Sequence, residues 1–271
     1  MKLSVITINL NNKDGLIKTI ESVIFQSFTD YEFIIIDGGS TDGSVEVIQQ
    51  YADKISYWIS EPDTGIYNAM NKGIKAAKGE YLHFLNTGDR LVSDEVYKKI
   101  FEGNPHESFI CGNFVEEKGE QYTLNESYKE RDWSEPLYDI YSGDLCHQAF
   151  FIKTDNFAKY GLYDESLRIT ADWKLFFIAI GMKRETVLYK DVNIVIYNME
   201  GLSSTIGGVA IQKERRAIAE QYMPAALLKR YDRLKHLEAD SYIIDFVHSR
   251  KWIYYGFHAF RKILRSIGLA K

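Results

Sequence analysis

The chain of 271 residues holds two cysteines, Cys111 and Cys146. That is too few for a disulfide framework, and they lack the paired spacing of a structural zinc site, so both are expected as reduced core thiols. Long apolar runs are missing as well. None reaches about eighteen residues, which excludes a membrane-spanning helix of that length. The opening "KLSVITIN" alternates like a strand and has neither the apolar segment nor the cleavage site of a secretory leader, so residence on the cytosolic side is expected. Basic charge is not in excess: 33 Lys and Arg stand against 38 Asp and Glu, which removes a global nucleic-acid signature. No GxGxxG follows the first strand and no Walker-type glycine–lysine loop occurs, which disfavours a dinucleotide cofactor or ordinary ATP hydrolysis.

What is present is alternation. "LSVITIN" precedes a helical stretch from about Lys13 to Gln26, where Leu16, Ile20, Val23 and Ile24 recur at helical spacing. "YEFIIID", "ISYWIS" and "YLHFLN" follow as strands. Between the last two, Ile66, Ala69, Met70, Gly73 and Ile74 share one helix face, which makes Met70 core packing. Strands alternating with helices predict an α/β fold with a mostly parallel central sheet, covered on both faces. In such sheets ligands bind beyond the carboxyl ends of the strands. Those ends carry Asn9 and Asn11, Asp37 with "GGSTDG", "EPDTG" with Asp63, and "NTGD" from Asn86 to Asp89. Turn conformation alone accounts for any one of these; four together point to a crevice. A crevice rich in carboxylates accepts a nucleotide diphosphate only if a divalent cation bridges the two, because hard cations take carboxylate and phosphate oxygens together.

The succession "SVITINLNN", "FIIIDGGSTDGS", "NAMNKGIKAAKGEYLHFLNTGD", "CHQAFFIK" and "YDESLRITADWKLF" resembles the family-2 glycosyltransferases of A-type, Rossmann-like fold, in particular the bacterial branch that builds exopolysaccharide, O-antigen (lipopolysaccharide) or capsule repeat units. The resemblance covers about residues 1 to 205. It implies a nucleotide-sugar domain at 1–207 and a helical extension at 208–271. It implies an inverting transfer from a nucleotide-diphosphate sugar, UDP favoured, to a hydroxyl of a saccharide acceptor, lipid-linked in many such pathways. It also implies roles: Asp172 as catalytic base; Asn9, Asn11, Asp37, Asn71, Asn86 and Thr87 at the nucleotide; Asp89 on Mg²⁺ or Mn²⁺; and Asp63, His147, Gln148 and Trp173 around sugar and acceptor. The sequence departs from the commoner pattern at Asn86 and Gly88, where acids often stand, and at Met70, where an arginine is usual.

Several positions keep a structural reading beside the functional one. Asp63 is equally a helix cap, Trp173 a half-buried structural aromatic, Asp172 a first-turn acid, and His83 a satisfied core histidine. The segment "YKERDWSEPLYDIYSGD" reads as irregular loops over the site. "KERR" resembles the family's basic segment near the end of the catalytic domain, which implies a diphosphate contact for Arg215 or Arg216, beside the reading of a solvated helix face. Residues 248–271 carry six Lys or Arg, no acid, and an apolar stripe through Ile253, Phe257, Phe260, Leu264 and Ile267; this suits a helix lying on an anionic membrane surface, or one packed on protein. An inactive sugar-nucleotide-binding module and a nucleotidyltransferase are the competing functional classes. The oligomeric state is open.

Overall fold

The computed structural model describes residues 1–143, 145–201 and 208–241, with isolated positions between 249 and 265. The basic segment 248–271 therefore lies, apart from those positions, outside the described residues. Two compact units are distinguished, Met1–Ile218 and Ala219–Lys271. The helix Gly208–Tyr222 and the helix Ala225–Ala239 follow the last strand, and Arg215 and Arg216 belong to the first unit.

In the first unit nine strands form one sheet: β1 Leu3–Asn9, β2 Tyr31–Asp37, β3 Tyr57–Ser60, β4 Tyr81–Phe84, β5 Arg90–Leu91, β6 Phe109–Lys118, β7 Gln121–Asn125, β8 Phe150–Lys153 and β9 Val187–Asn198. The order is β3-β2-β1-β4-β8-β6-β9-β5, with β7 hydrogen-bonded to β6. Pairing is parallel across β3, β2, β1 and β4, as the alternation predicts. Beyond β4 it becomes mixed: β8 runs antiparallel to both β4 and β6, while β9 runs parallel to β6. The second half is therefore not a continuation of the parallel arrangement.

Helix α1 (Lys13–Ile24) begins where the Asn12 side chain accepts from Gly15 N, and it buries Leu16, Ile20 and Val23 completely. Each such aliphatic side chain contributes about 1.5–3 kcal/mol relative to exposure. Helix α2 is Ser44–Gln50. Helix α3 (Ile66–Ala76) lies so close to β1 that a Cβ on Gly73 would stand 2.5 Å from Ile6 Cγ2. Helices α4 (Val96–Phe101), α5 (Leu137–Ser142), α6 (Asp155–Tyr160) and α7 (Ala171–Phe176) are short, and α7 runs on as a π-helical turn to Met182. Part of "YKERDWSEPLYDIYSGD" is thus ordered as α5, and only the stretch before it is loop.

The chain steps outward from β1 to β2 and β3, then returns to lay β4 on the other side of β1. This reversal puts the carboxyl ends of β1 and β4 side by side, the place where open α/β sheets receive ligands.

Candidate active site

The "NTGD" stretch is a turn. Asp89 N donates to Asn86 O at 3.0 Å, and Gly88 sits at φ +101°, a region where a side chain is strained. Thr19 on α1 locks the turn from below, accepting from Gly88 N and donating to Asp89 O. Thr87 Oγ1 donates to Ile8 O, tying the turn to β1. Turn geometry by itself thus explains the glycine.

Asp89 projects into a cavity of about 710 Å³ whose wall also includes Asn86, Thr87, His147, Asp172 and Arg131. Its carboxylate is 3% exposed. Oδ1 accepts from Asn198 N at 2.9 Å and Oδ2 from Gln148 Nε2 at 2.9 Å. Burial pushes its pKa up to about 7, against the lowering effect of those two bonds. Asp172 is the opposite case. Tyr67 donates its hydroxyl to Oδ1 at 2.9 Å, and His147 Nδ1 lies 2.9 Å from Oδ2. Burial alone would raise this carboxyl, but the bonds from His147 and Tyr67 outweigh it and hold it below the usual carboxylate range.

His147 and Gln148, expected around sugar and acceptor, line the cavity and each meet one of the two acids. His147 Nε2 also faces Asn86 Nδ2 at 3.3 Å. Behind them His83 is a core histidine: Nδ1 lies 3.1 Å from Tyr97 OH, Nε2 lies 2.8 Å from Gln148 O, and burial lowers its pKa to about 4. Cys146 Sγ donates to Gln148 Oε1, and both cysteines are free.

Other sequence candidates are tied into the fold itself, Trp173 on the wall of the same cavity. Asp37 is fully buried and accepts from Asn9 Nδ2, Ser40 Oγ, Ser40 N, Gly39 N and Ser60 Oγ. Burial raises its pKa, yet these bonds lower it further, so the net shift is downward. With five donors on two oxygens, Asp37 pins the loop after β2 and has little capacity left for a ligand. Asn11, at φ +49°, joins the same loop by accepting from Thr41 N. Asn71 spends its whole amide on Tyr163 N, Tyr163 O and Glu165, fastening α3 to the segment before α7. Asp63 accepts from Gly65 N in the turn before α3 and is not a side-chain cap of that helix. Trp173 is 2% exposed, stacks on Phe177 at 4.8 Å, donates to Ile140 O, and carries the Arg215 guanidinium over its ring. It is a packed aromatic and not an open platform for a sugar.

Sequence reading missed Tyr67, Asn198 and Arg131. Tyr67 lies in "GIYNAM" at a position absorbed into the apolar face of α3, and Asn198 reaches Asp89 across 109 residues of chain. Neither carries a local signal. Ser40, three residues after Asp37, is the one that an acid-turn pattern could have supplied.

A divalent cation fits this wall in one way. Among the described residues no group of three or more His, Cys, Asp and Glu stands ready to ligate a metal, so a complete protein cage is absent. Asp89 has lone pairs beyond the two in use, and Asn86 Oδ1 is buried with no hydrogen-bond partner. A hard cation held by one carboxylate, one amide oxygen and the phosphates of its ligand suits that pair.

Two buried acids, Asp89 beside the β1–β4 switch point and Asp172 on α7, thus share one cavity of a Rossmann-like fold, each with its own set of hydrogen-bond partners. A family model described as "Glycosyl transferase family 2" matches residues 4–160, and the chain belongs to that family. An uncharacterized glycosyltransferase of Mycobacterium tuberculosis is 34% identical over 171 residues, which is 63% of this chain and 65% of that protein's length. A PGL/p-HBAD biosynthesis glycosyltransferase of Mycobacterium bovis is 27% identical, over 75% of this chain and 79% of its own. Among solved structures, S. aureus TarS 1–349 in complex with UDP-GlcNAc superposes with a TM-score of 0.68 at 18% identity, covering 88% of this chain and 73% of that one. The mannosyltransferase PcManGT of Pyrobaculum calidifontis, in complex with GDP-Man and Mn²⁺, gives 0.63 at 14% identity, covering 88% and 69%. At these identities the structures establish the shared fold.

Proposed function

We propose that this chain is an inverting glycosyltransferase, moving a sugar from a nucleotide-diphosphate sugar, UDP favoured, to a hydroxyl of a saccharide acceptor in cell-surface polysaccharide synthesis. One observation carries the reading: two buried acids share one cavity wall with separate partners, Asp172 held by His147 Nδ1 and the Tyr67 hydroxyl, and Asp89 by Asn198 N and Gln148 beside the unpartnered Asn86 Oδ1. The first arrangement suits a general base and the second a hard cation. The nucleotide complexes of TarS and PcManGT support the donor class.

The Asp172–His147 pair takes the proton of the acceptor hydroxyl, a role contributing about 10²- to 10⁴-fold in rate. The oxygen bonds to the anomeric carbon as the carbon–oxygen bond to the diphosphate breaks, and the electron pair leaves with the diphosphate. Attack from the face opposite the leaving group inverts the configuration. Asp89 and Asn86 would hold Mg²⁺ or Mn²⁺, which when bound neutralises charge on the diphosphate. Asn9, Asn11 and Asp37 shape the base pocket through the loop after β2, with Thr87 beside it, while Asn71 and Trp173 fix the elements that present Asp172. A lipid-linked acceptor and attachment to an anionic membrane face through 248–271 complete the proposal. Among the described residues no helix is long and apolar enough to cross a membrane.

The test is hydrolysis of UDP-, GDP- and dTDP-sugars by the purified chain, with and without manganese. Slow, metal-dependent release of one nucleotide, with inverted sugar product in the presence of an acceptor, is expected. Absence of both release and nucleotide binding across the panel would remove the transferase reading.

A further inference from the structure

Arg131 belongs to no element of the mechanism above, yet it lines the same cavity as Asp172. Its guanidinium makes no ion pair or hydrogen bond among the described residues, and Nη1 is buried without a partner. Two residues on, Trp133 Nε1 is likewise buried and unpartnered. The two are one cluster: the guanidinium carbon lies 5.1 Å from the Tyr128 ring centroid and 5.4 Å from that of Trp133. Aromatic faces hold the cation flat and leave its donor edge unused. Buried donors in a folded protein are almost always satisfied, and a guanidinium left open on a cavity wall is a site awaiting an acceptor.

The position of the cluster says which ligand. Arg131 follows β7, so it enters from the β6–β7 side of the sheet, whereas the β1–β4 switch point supplies Ile8, Asn12 and Thr87. Tyr128 OH accepts from Cys146 N at 2.6 Å, which fastens the loop next to His147 and hence beside the Asp172 pair. The group that gives up a proton to that pair is the acceptor. Glu116, the acid lining this side, is engaged by Asn125 and makes no ion pair with Arg131.

We propose that Arg131, held between the Tyr128 and Trp133 rings, forms a subsite for an oxyanion carried by the acceptor, a phosphate or a carboxylate on the saccharide, with the Trp133 indole as its immediate neighbour. The proposal rests on the glycosyl-transfer reading and names the acceptor's chemistry within it. A planar guanidinium fork offers parallel donors to either anion.

The experiment follows the Trp133 indole N–H resonance, assigned with Trp133→Phe, as the full chain is titrated with α-glucose 1-phosphate, glucuronate or glucose. Saturating UDP is present or absent. Expected are a shift with at least one anion, none with glucose, no displacement by UDP, and binding about 10- to 100-fold weaker in Arg131→Gln. The phosphate and glucuronate arms distinguish the two sources. Arg131→Lys, which keeps the charge and loses the fork, should bind between wild type and Arg131→Gln. The subsite is overturned if no anion shifts the resonance, if glucose shifts it equally, or if Arg131→Gln binds as wild type does. Displacement by UDP would give Arg131 to the donor diphosphate and overturn the acceptor assignment. If the anion binds but no UDP-, GDP- or dTDP-linked nucleotide does, the transfer reading fails and the anion site survives it.

Discussion

His147 Nδ1 stands 2.9 Å from Asp172 Oδ2, while Tyr67 donates to the other oxygen of the same carboxylate. Neither oxygen of the proposed base is bare, so a proton leaving the acceptor reaches a pair and not a lone acid. The carboxylate fixes the orientation of the imidazole, as an orienting acid does for a histidine base.

Substitution of either partner should therefore be costly. Asp172→Asn is expected to lower kcat for transfer by about 10²- to 10⁴-fold with little change in nucleotide affinity. His147→Gln should lower it comparably, and the double variant should lose little more, because the two act as a unit. Losses that multiply in the double variant would separate their roles. Tyr67→Phe, which removes only the Oδ1 donor, should raise the pH at which the acidic limb of kcat falls.

Asp89→Asn tests the other acid. Burying a carboxylate is expensive, and here burial already drives its pKa to about 7. The amide keeps the shape and can still accept from Asn198 N, but its Nδ2 faces the Gln148 Nε2 that donates to Asp89 Oδ2. Relief of the buried charge and loss of that bond, about 1–3 kcal/mol, oppose each other, so the denaturant midpoint at pH 8 is expected to stay close to that of wild type, while manganese-dependent hydrolysis of the donor disappears. Retained metal dependence would remove Asp89 from the cation.

The sequence carried the parallel half of the sheet almost to the residue: "LSVITIN" and "YEFIIID" are β1 and β2 as printed, because buried parallel strands are continuous apolar runs. It also singled out Asp89 and Asp172, which the fold brings to one cavity. Their partners were less legible. That His147 and Gln148 each turn toward one acid was not legible, since spacing alone does not show it. Asp37 and Asn71 looked like ligands because polar residues at strand ends usually are; in three dimensions their hydrogen bonds are spent on the chain itself. Arg131 sits in a segment with no periodicity, where only packing reveals an unpaired cation.

His83 links the site to stability. Burial lowers its pKa from an ordinary 6.5 to about 4, so the folded chain keeps it neutral while the unfolded chain takes up a proton below 6.5. Stability contributed by the neutral form is present above pH 6.5 and is lost as pH falls toward 4, by roughly 3 kcal/mol at the limit. Urea midpoints at pH 7, 6, 5 and 4 should show this slope. His83→Phe keeps the stacking on Phe151 but orphans Gln148 O and Tyr97 OH, costing about 1–3 kcal/mol at pH 7. In that variant the acid-dependent part belonging to His83 should vanish.

Gly73→Ala sets two magnitudes against each other. In an exposed helix the change stabilises by about 1 kcal/mol, since glycine is the poorer helix former. Here the new methyl would stand 2.5 Å from Ile6 Cγ2, on a fully buried, β-branched side chain with little rotamer freedom. Overpacking of that kind costs about 1–3 kcal/mol, which exceeds the gain. A lower denaturant midpoint with unchanged slope is expected. The same change in an Ile6→Ala background should cost less or become favourable, because the methyl then has room. Helix α3 also carries Tyr67 to Asp172, so Gly73→Ala should reduce transfer more than its stability loss alone predicts, measured well below the unfolding temperature. A stabilised variant would mean that α3 can move off β1 without strain, and then the Tyr67 bond to Asp172 would be adjustable and not fixed by the packing beneath it.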